Sequence, residues 1–146
     1  MREINRFETA KMIDLAREAR ERAYAPYSGF RVGACLKAQS GAYYLGCNIE
    51  NAGYSPTICA ERTAMFAAGA NYPDVPMVAL AIAGSDHGVL CEAPATPCGS
   101  CRQVMAEYQK KYGTPMEVIL VGSKKILKFA KVDDILPFIF DSLHVG

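Results

Sequence analysis

Three cysteines and one glutamate carry the strongest chemical signal in the chain. Cys98 and Cys101 form a C-x-x-C pair, and Cys59 sits in the charged segment Cys59-Ala60-Glu61-Arg62. Thiolates are soft ligands that suit zinc, and three protein ligands leave the open fourth position of a catalytic zinc site. A C-x-x-C pair alone leaves other readings open. Pro97-Cys98-Gly99-Ser100-Cys101 also has the look of a redox pair. A four-ligand structural zinc would need His87 or Cys91 to join, and neither has motif spacing. The remaining cysteines, Cys35, Cys47 and Cys91, read as small hydrophobes or loop thiols. Structural or solvated roles are favoured for His87 and His144 as well.

Glu61 narrows the choice. Zinc deaminases combine a His or Cys ligand, a Glu two residues later that does not bind the metal, and a downstream Pro-Cys-x-x-Cys. Cys59-Ala60-Glu61 and Pro97-Cys98-Gly99-Ser100-Cys101 supply that set in order. Three thiolates around a divalent ion leave the site formally negative, so it needs positive compensation. Helix N-termini supply some, and they also lower the pKa of nearby thiols.

The elements that must position these residues can be read from periodicity. Phe7, Ala10, Ile13, Ala16, Ala19 and Ala23 recur at helical spacing, so residues 7–23 predict an amphipathic helix. Ala25-Pro26-Tyr27-Ser28-Gly29 ends it in turn residues. Residues 31–38 and 42–47 predict a hairpin around Gln39-Ser40-Gly41. Residues 59–70 predict a helix with Thr57 as N-cap, 77–83 a buried strand, and 85–97 a long loop. A further helix follows over 99–112, ended by Gly113. Strands are expected at 116–121 and 124–130, and a short helix or turn over 132–139. The order α-β-β-α-β-α-β-β predicts a three-layer α-β-α fold with a central mixed five-stranded sheet.

Composition bounds the function. A chain of 146 residues suits a single domain over 1–146. Sixteen basic and fifteen acidic residues leave a formal charge of +1, too little to hold a polyanion, so no nucleic-acid partner is expected. The lysines at 124, 125, 128 and 131 read as a solvated edge. The longest apolar run, Met77–Ala83, is too short to span a bilayer, and charge begins at Arg2 with no apolar segment after it. A cytoplasmic protein without a membrane partner is the expectation, and in a reducing compartment cysteines bind metal or catalyse more often than they pair.

Taken together, Tyr27-Ser28-Gly29-Phe30-Arg31-Val32-Gly33-Ala34, Gly46-Cys47-Asn48-Ile49-Glu50-Asn51-Ala52, Ile58-Cys59-Ala60-Glu61-Arg62-Thr63-Ala64 and Pro97-Cys98-Gly99-Ser100-Cys101-Arg102-Gln103-Val104 give the chain a family likeness. It resembles the cytidine deaminase family in its small, three-cysteine, homotetrameric form. The tail Ile135-Leu136-Pro137-Phe138-Ile139-Phe140 is also similar to the family's, whereas Gly53 and Pro56 depart from its usual pattern. The resemblance implies one zinc per subunit on Cys59, Cys98 and Cys101, with Glu61 as proton shuttle. It implies hydrolysis of cytidine and 2′-deoxycytidine to the uracil nucleosides and ammonia, as in pyrimidine salvage. Arg62 would hydrogen-bond a ligand thiolate. Asn48 and Glu50, two apart and so on one side of an extended segment, would hold the ribose 3′-hydroxyl. Phe30 and Ala60 would contact the substrate, and Tyr54 and Phe140 would reach a neighbouring subunit's site. A deaminase acting on a modified or antibiotic nucleoside is the alternative within the same superfamily.

Overall fold

The computed structural model describes residues 4–141, and His144 lies outside them. Helix α1 (Arg6–Ala19) starts where Asn5 and Glu8 satisfy each other's backbone: Glu8 N–H donates to Asn5 Oδ1 at 2.9 Å and Asn5 N–H to Glu8 Oε1 at 3.0 Å. It is shorter than its periodicity predicts. A 3-10 turn covers Arg20–Arg22, and Ala23 is extended. The chain leaves the helix there because Tyr24 takes up backbone bonds with another segment. Its N–H donates to Asn48 O at 3.0 Å, and its O accepts from Glu50 N–H at 2.8 Å. Pro26 further disfavours helix in the residue before it.

Strands β1 (Phe30–Ala38) and β2 (Tyr43–Cys47) form the expected hairpin, turning at Gly41, whose φ is +96°. Helix α2 (Ala60–Asn71) leads to β3 (Met77–Asp86), which turns back into the short β4 (Val89–Leu90). Helix α3 (Gly99–Tyr112) ends on Gly113 in the left-handed conformation, then β5 (Glu117–Val121) and β6 (Ile126–Phe129) complete the sheet. The strand path is β2-β1-β3-β5-β6, with β4 paired to β3 beside it. The five-stranded mixed sheet expected from the sequence is therefore present, with a two-residue sixth strand added. β3 and β5 are parallel, joined by the α3 crossover, and the other pairs are antiparallel.

Side-chain alternation along the central strands splits the core into two layers. Ala79, Ala81 and Ala83 of β3 face Met12, Ile13 and Ala16 of α1. Leu80 and Ile82 face the other way, into a cluster with Ala64, Met65 and Met105 of α2 and α3. Small residues let the layers close. A Cβ on Gly46 of β2 would stand 2.4 Å from the Ala60 carbonyl oxygen, so α2 rests directly on the sheet there. Cys35 belongs to the α1 layer, and burial pushes its thiol up to about 12, as a structural thiol requires. Among the described residues no helix is long and apolar enough to cross a membrane.

Two expectations change. Thr57 is not the N-cap of α2. Cys59 is, and the Thr57 hydroxyl instead closes the preceding loop, accepting from Asn51 N–H at 3.1 Å and donating to Gly53 O at 3.2 Å. The loop expected over 85–97 is shorter. Ser85 and Asp86 continue β3, because Ser85 is buried and pairs with Arg31 across the ladder.

Candidate metal and catalytic site

Both helices on the same face of the sheet begin with a cysteine. Cys59 is the N-cap of α2 and Cys98 the N-cap of α3. The Cys98 sulfur accepts the backbone N–H of Cys101 at 3.4 Å, a thiol occupying the place of a capping oxygen. Cys98 Sγ lies 3.4 Å from Cys101 Sγ and 3.7 Å from Cys59 Sγ, and all three sulfurs lie within 4.8 Å of one another. Tetrahedral zinc with Zn–S bonds of about 2.3 Å sets sulfurs about 3.8 Å apart, so the cluster fits that ion. The thiols are free, not bridged. Neither His87 nor Cys91 joins the cluster, so among the described residues it offers three donors, not four.

Charge at the cluster is managed by its neighbours. The Cys101 hydrogen bond, with Arg62 and Cys98 adding to it, outweighs partial burial and holds the Cys59 thiol down at about 5. The same bond and burial push the Cys101 thiol up. Arg62 Nη2 donates to Cys59 Sγ at 3.4 Å. That contact with the sulfur raises the guanidinium's own pKa further, so it stays charged. Two helix N-termini add partial positive charge at the same spot.

Glu61, in the first turn of α2, is only 4% exposed. Burial is the main cause that pushes its carboxyl above the usual range; the nearby Cys59 charge adds to this, while its backbone N–H, Cys101 and Arg62 oppose it. A carboxyl raised in this way takes up a proton more readily than an ordinary one.

Glu61 opens onto a cavity of about 370 Å³, which Cys59 and Cys98 also line. Four other residues singled out from the sequence meet there: Phe30, Asn48, Glu50 and Ala60. Phe30 lies over Gly84, where a Cβ would come 3.1 Å from its ring. Asn48 and Glu50 do share one side of the segment. Ile49 between them makes backbone bridges to Tyr24 and Ile58 and turns its side chain outward. The Asn48 amide ties down the start of β1, accepting from Val32 N–H at 2.8 Å and donating to Phe30 O at 2.9 Å. Glu50 accepts two backbone N–H bonds, from Tyr27 at 3.0 Å and Ser28 at 3.2 Å, and a hydroxyl bond from Ser28.

Tyr54 and Phe140 are not part of this cavity. They are 97% and 62% exposed. Ser28, Ile82 and Thr96 line it without having been singled out. Ser28 sits in a Tyr-Ser-Gly turn whose chemistry is visible only once Glu50 folds against it. Thr96, two residues before Cys98, had only that nearness as a signal.

Comparison with known proteins decides the family. Residues 8–113 match the family model for the cytidine and deoxycytidylate deaminase zinc-binding region. The chain belongs to this family. As a zinc-binding deaminase domain it is a hydrolase, and its sulfur cluster is positioned to hold the zinc. The chain is 44% identical over 130 residues to a cytidine deaminase of Sporosarcina psychrophila, covering 89% of each chain. It is 34% identical over 138 residues to a probable cytidine deaminase of Dictyostelium discoideum, covering 94% of this chain and 86% of that one. Its fold is similar to the crystal structure of cytidine deaminase from Burkholderia pseudomallei, with TM-score 0.77, 42% identity, and coverage of 90% of this chain and 98% of that one.

Proposed function

We propose that this deaminase hydrolyses cytidine and 2′-deoxycytidine to uridine and 2′-deoxyuridine, releasing ammonia. The observation that carries this reading is the buried Glu61 carboxyl, which shares one 370 Å³ cavity with Cys59 and Cys98. Cys59, Cys98 and Cys101 would hold the zinc, which would supply Lewis-acid activation of the attacking water. Glu61 takes a proton from that water and delivers it to N3 of the cytosine ring as C4 gains its new oxygen. It then carries a second proton to the departing amine, so that one water is consumed and one ammonia leaves. Its raised pKa favours the uptake of that first proton.

Phe30 flanks the pyrimidine, Ala60 completes the floor beside the metal ligands, and Asn48 and Glu50 meet the sugar. Arg62 keeps the Cys59 sulfur from concentrating negative charge on the metal. The exposed Tyr54 and Phe140 belong to an interface, in a homotetramer where each reaches a neighbour's cavity. Both side chains are exposed and stand outside the chain's own cavity, which leaves them free for such a contact. The chain acts as one domain over 1–146, in the cytoplasm, in pyrimidine salvage. Ammonia and uridine release from cytidine by the zinc-loaded protein tests the reading; no turnover of either nucleoside overturns it.

A further inference from the structure

We infer that Ser28 is a positioning residue: its hydroxyl holds Glu50 as an acceptor facing the cavity, and so sets the preference for a substrate carrying a free sugar hydroxyl. The inference rests on the reading that Glu50 meets the sugar.

The hydroxyl has one proton and two lone pairs. Phe30 N–H donates to Ser28 Oγ at 3.0 Å, which takes one lone pair. The proton is thus turned away from Phe30 and goes to Glu50 Oε2. Glu50 Oε1 is occupied by the N–H groups of Tyr27 and Ser28. The turn that aligns these donors is closed by Gly29 N–H to Ala25 O at 3.0 Å, with Gly29 at φ +68°. Among the described residues, each group that hydrogen-bonds this carboxylate is a donor. What the carboxylate presents to the cavity is therefore lone pairs, which match a hydroxyl and not an ether, a fluorine or a phosphate. The Ser28 bond is also the largest cause holding the Glu50 carboxyl below its ordinary value, with the two backbone N–H groups adding to it against partial desolvation.

One further link makes Ser28 more than a support for Glu50. The same oxygen fixes the backbone of Phe30, whose ring lines the other side of the cavity. Loss of the hydroxyl frees both walls, but only the Glu50 wall reads the sugar hydroxyl.

The test compares wild type, Ser28→Ala, Ser28→Cys, Ser28→Thr and Glu50→Gln on cytidine and 3′-deoxycytidine, all at equal zinc content. The readout is the ratio of kcat/KM between the two nucleosides. Ser28→Ala is expected to raise KM for cytidine by about tenfold, the scale of one hydrogen bond to a charged group, with kcat little changed. The ratio falls by about the same factor, because 3′-deoxycytidine has nothing to offer Glu50. Ser28→Thr, which keeps the hydroxyl, restores the ratio. Ser28→Cys, with a weak donor, behaves as Ala and serves if the Ala variant is unstable. An unchanged ratio in both Ala and Cys variants overturns the inference, including the case where both substrates weaken equally. If Glu50→Gln leaves the ratio at the wild-type value, the sugar reading itself fails. If Glu50→Gln lowers it while Ser28→Ala does not, only the role of Ser28 fails.

Discussion

Arg62 Nη2 donates to Cys59 Sγ at 3.4 Å, so the residue that caps α2 and the guanidinium three positions later form one unit. That unit tempers the charge of a three-thiolate site without changing its donor set. Arg62→Gln should keep zinc bound but lower turnover by about 10–100-fold, the usual cost of losing a partner of a metal ligand. Metal content by atomic emission, measured beside kcat, checks it. Wild-type turnover in a fully loaded variant contradicts the role.

Glu61→Gln separates catalysis from stability. Removing the proton shuttle should cost about 10²–10⁴ in rate while zinc is retained. The same change should raise the melting temperature. Glu61's folded pKa lies above its unfolded value, so its contribution to stability is present in acid and lost as pH rises through the folded value. At neutral pH the wild type carries that cost and the variant does not. Calorimetry should show the variant melting higher at pH 7, with the gap closing toward pH 4, near the ordinary carboxylate range.

The sugar contacts predict a substrate order. 2′-Deoxycytidine should be a good substrate and 3′-deoxycytidine a poor one, by up to about 10⁴-fold, since Asn48 and Glu50 would be left facing an absent hydroxyl. Equal kcat/KM for cytidine and 3′-deoxycytidine speaks against their assignment.

Gly46 sits under α2, where a Cβ would meet the Ala60 oxygen at 2.4 Å and the Ala64 nitrogen at 2.6 Å. These neighbours are backbone and cannot swing aside. Gly46→Ala should cost about 1–3 kcal/mol and push the first turn of α2 off the sheet, weakening zinc binding along with stability. Gly41→Ala is the control. Its position is open, although φ is +96°, so it should lose stability and retain zinc. Urea melts and zinc titration distinguish the two.

Tyr54 and Phe140 predict an oligomer-dependent activity. Specific activity should fall on dilution in step with dissociation followed by sedimentation, and Phe140→Ala should shift that fall to higher protein concentration. A monomer with full activity excludes shared sites.

The sequence made the metal centre legible because its chemistry is local: Cys98 and Cys101 span one helical turn, and Cys59 and Glu61 another. The long elements were legible for a similar reason. The helix expected at 99–112 is α3 to the residue, since Gly113 punctuates it. Three features depended on distant partners. The early end of α1 follows from Tyr24 pairing with the segment around Ile49. Strand β4 is two residues hung on β3 through His87 and Gly88, both at positive φ, too short for any periodicity. Ser28 draws its proposed role from Glu50, 22 residues on.

The parallel pairing of β3 with β5 also constrains how the protein is made. Cys98 and Cys101 lie on the crossover between those strands, and Cys59 lies before the first of them. While the chain is being synthesised, the third sulfur is already outside the ribosome, but its two partners gain a fixed place only when β5 has followed them out and docked. Binding of one zinc by all three sulfurs is therefore expected late in biogenesis, after β5 has docked.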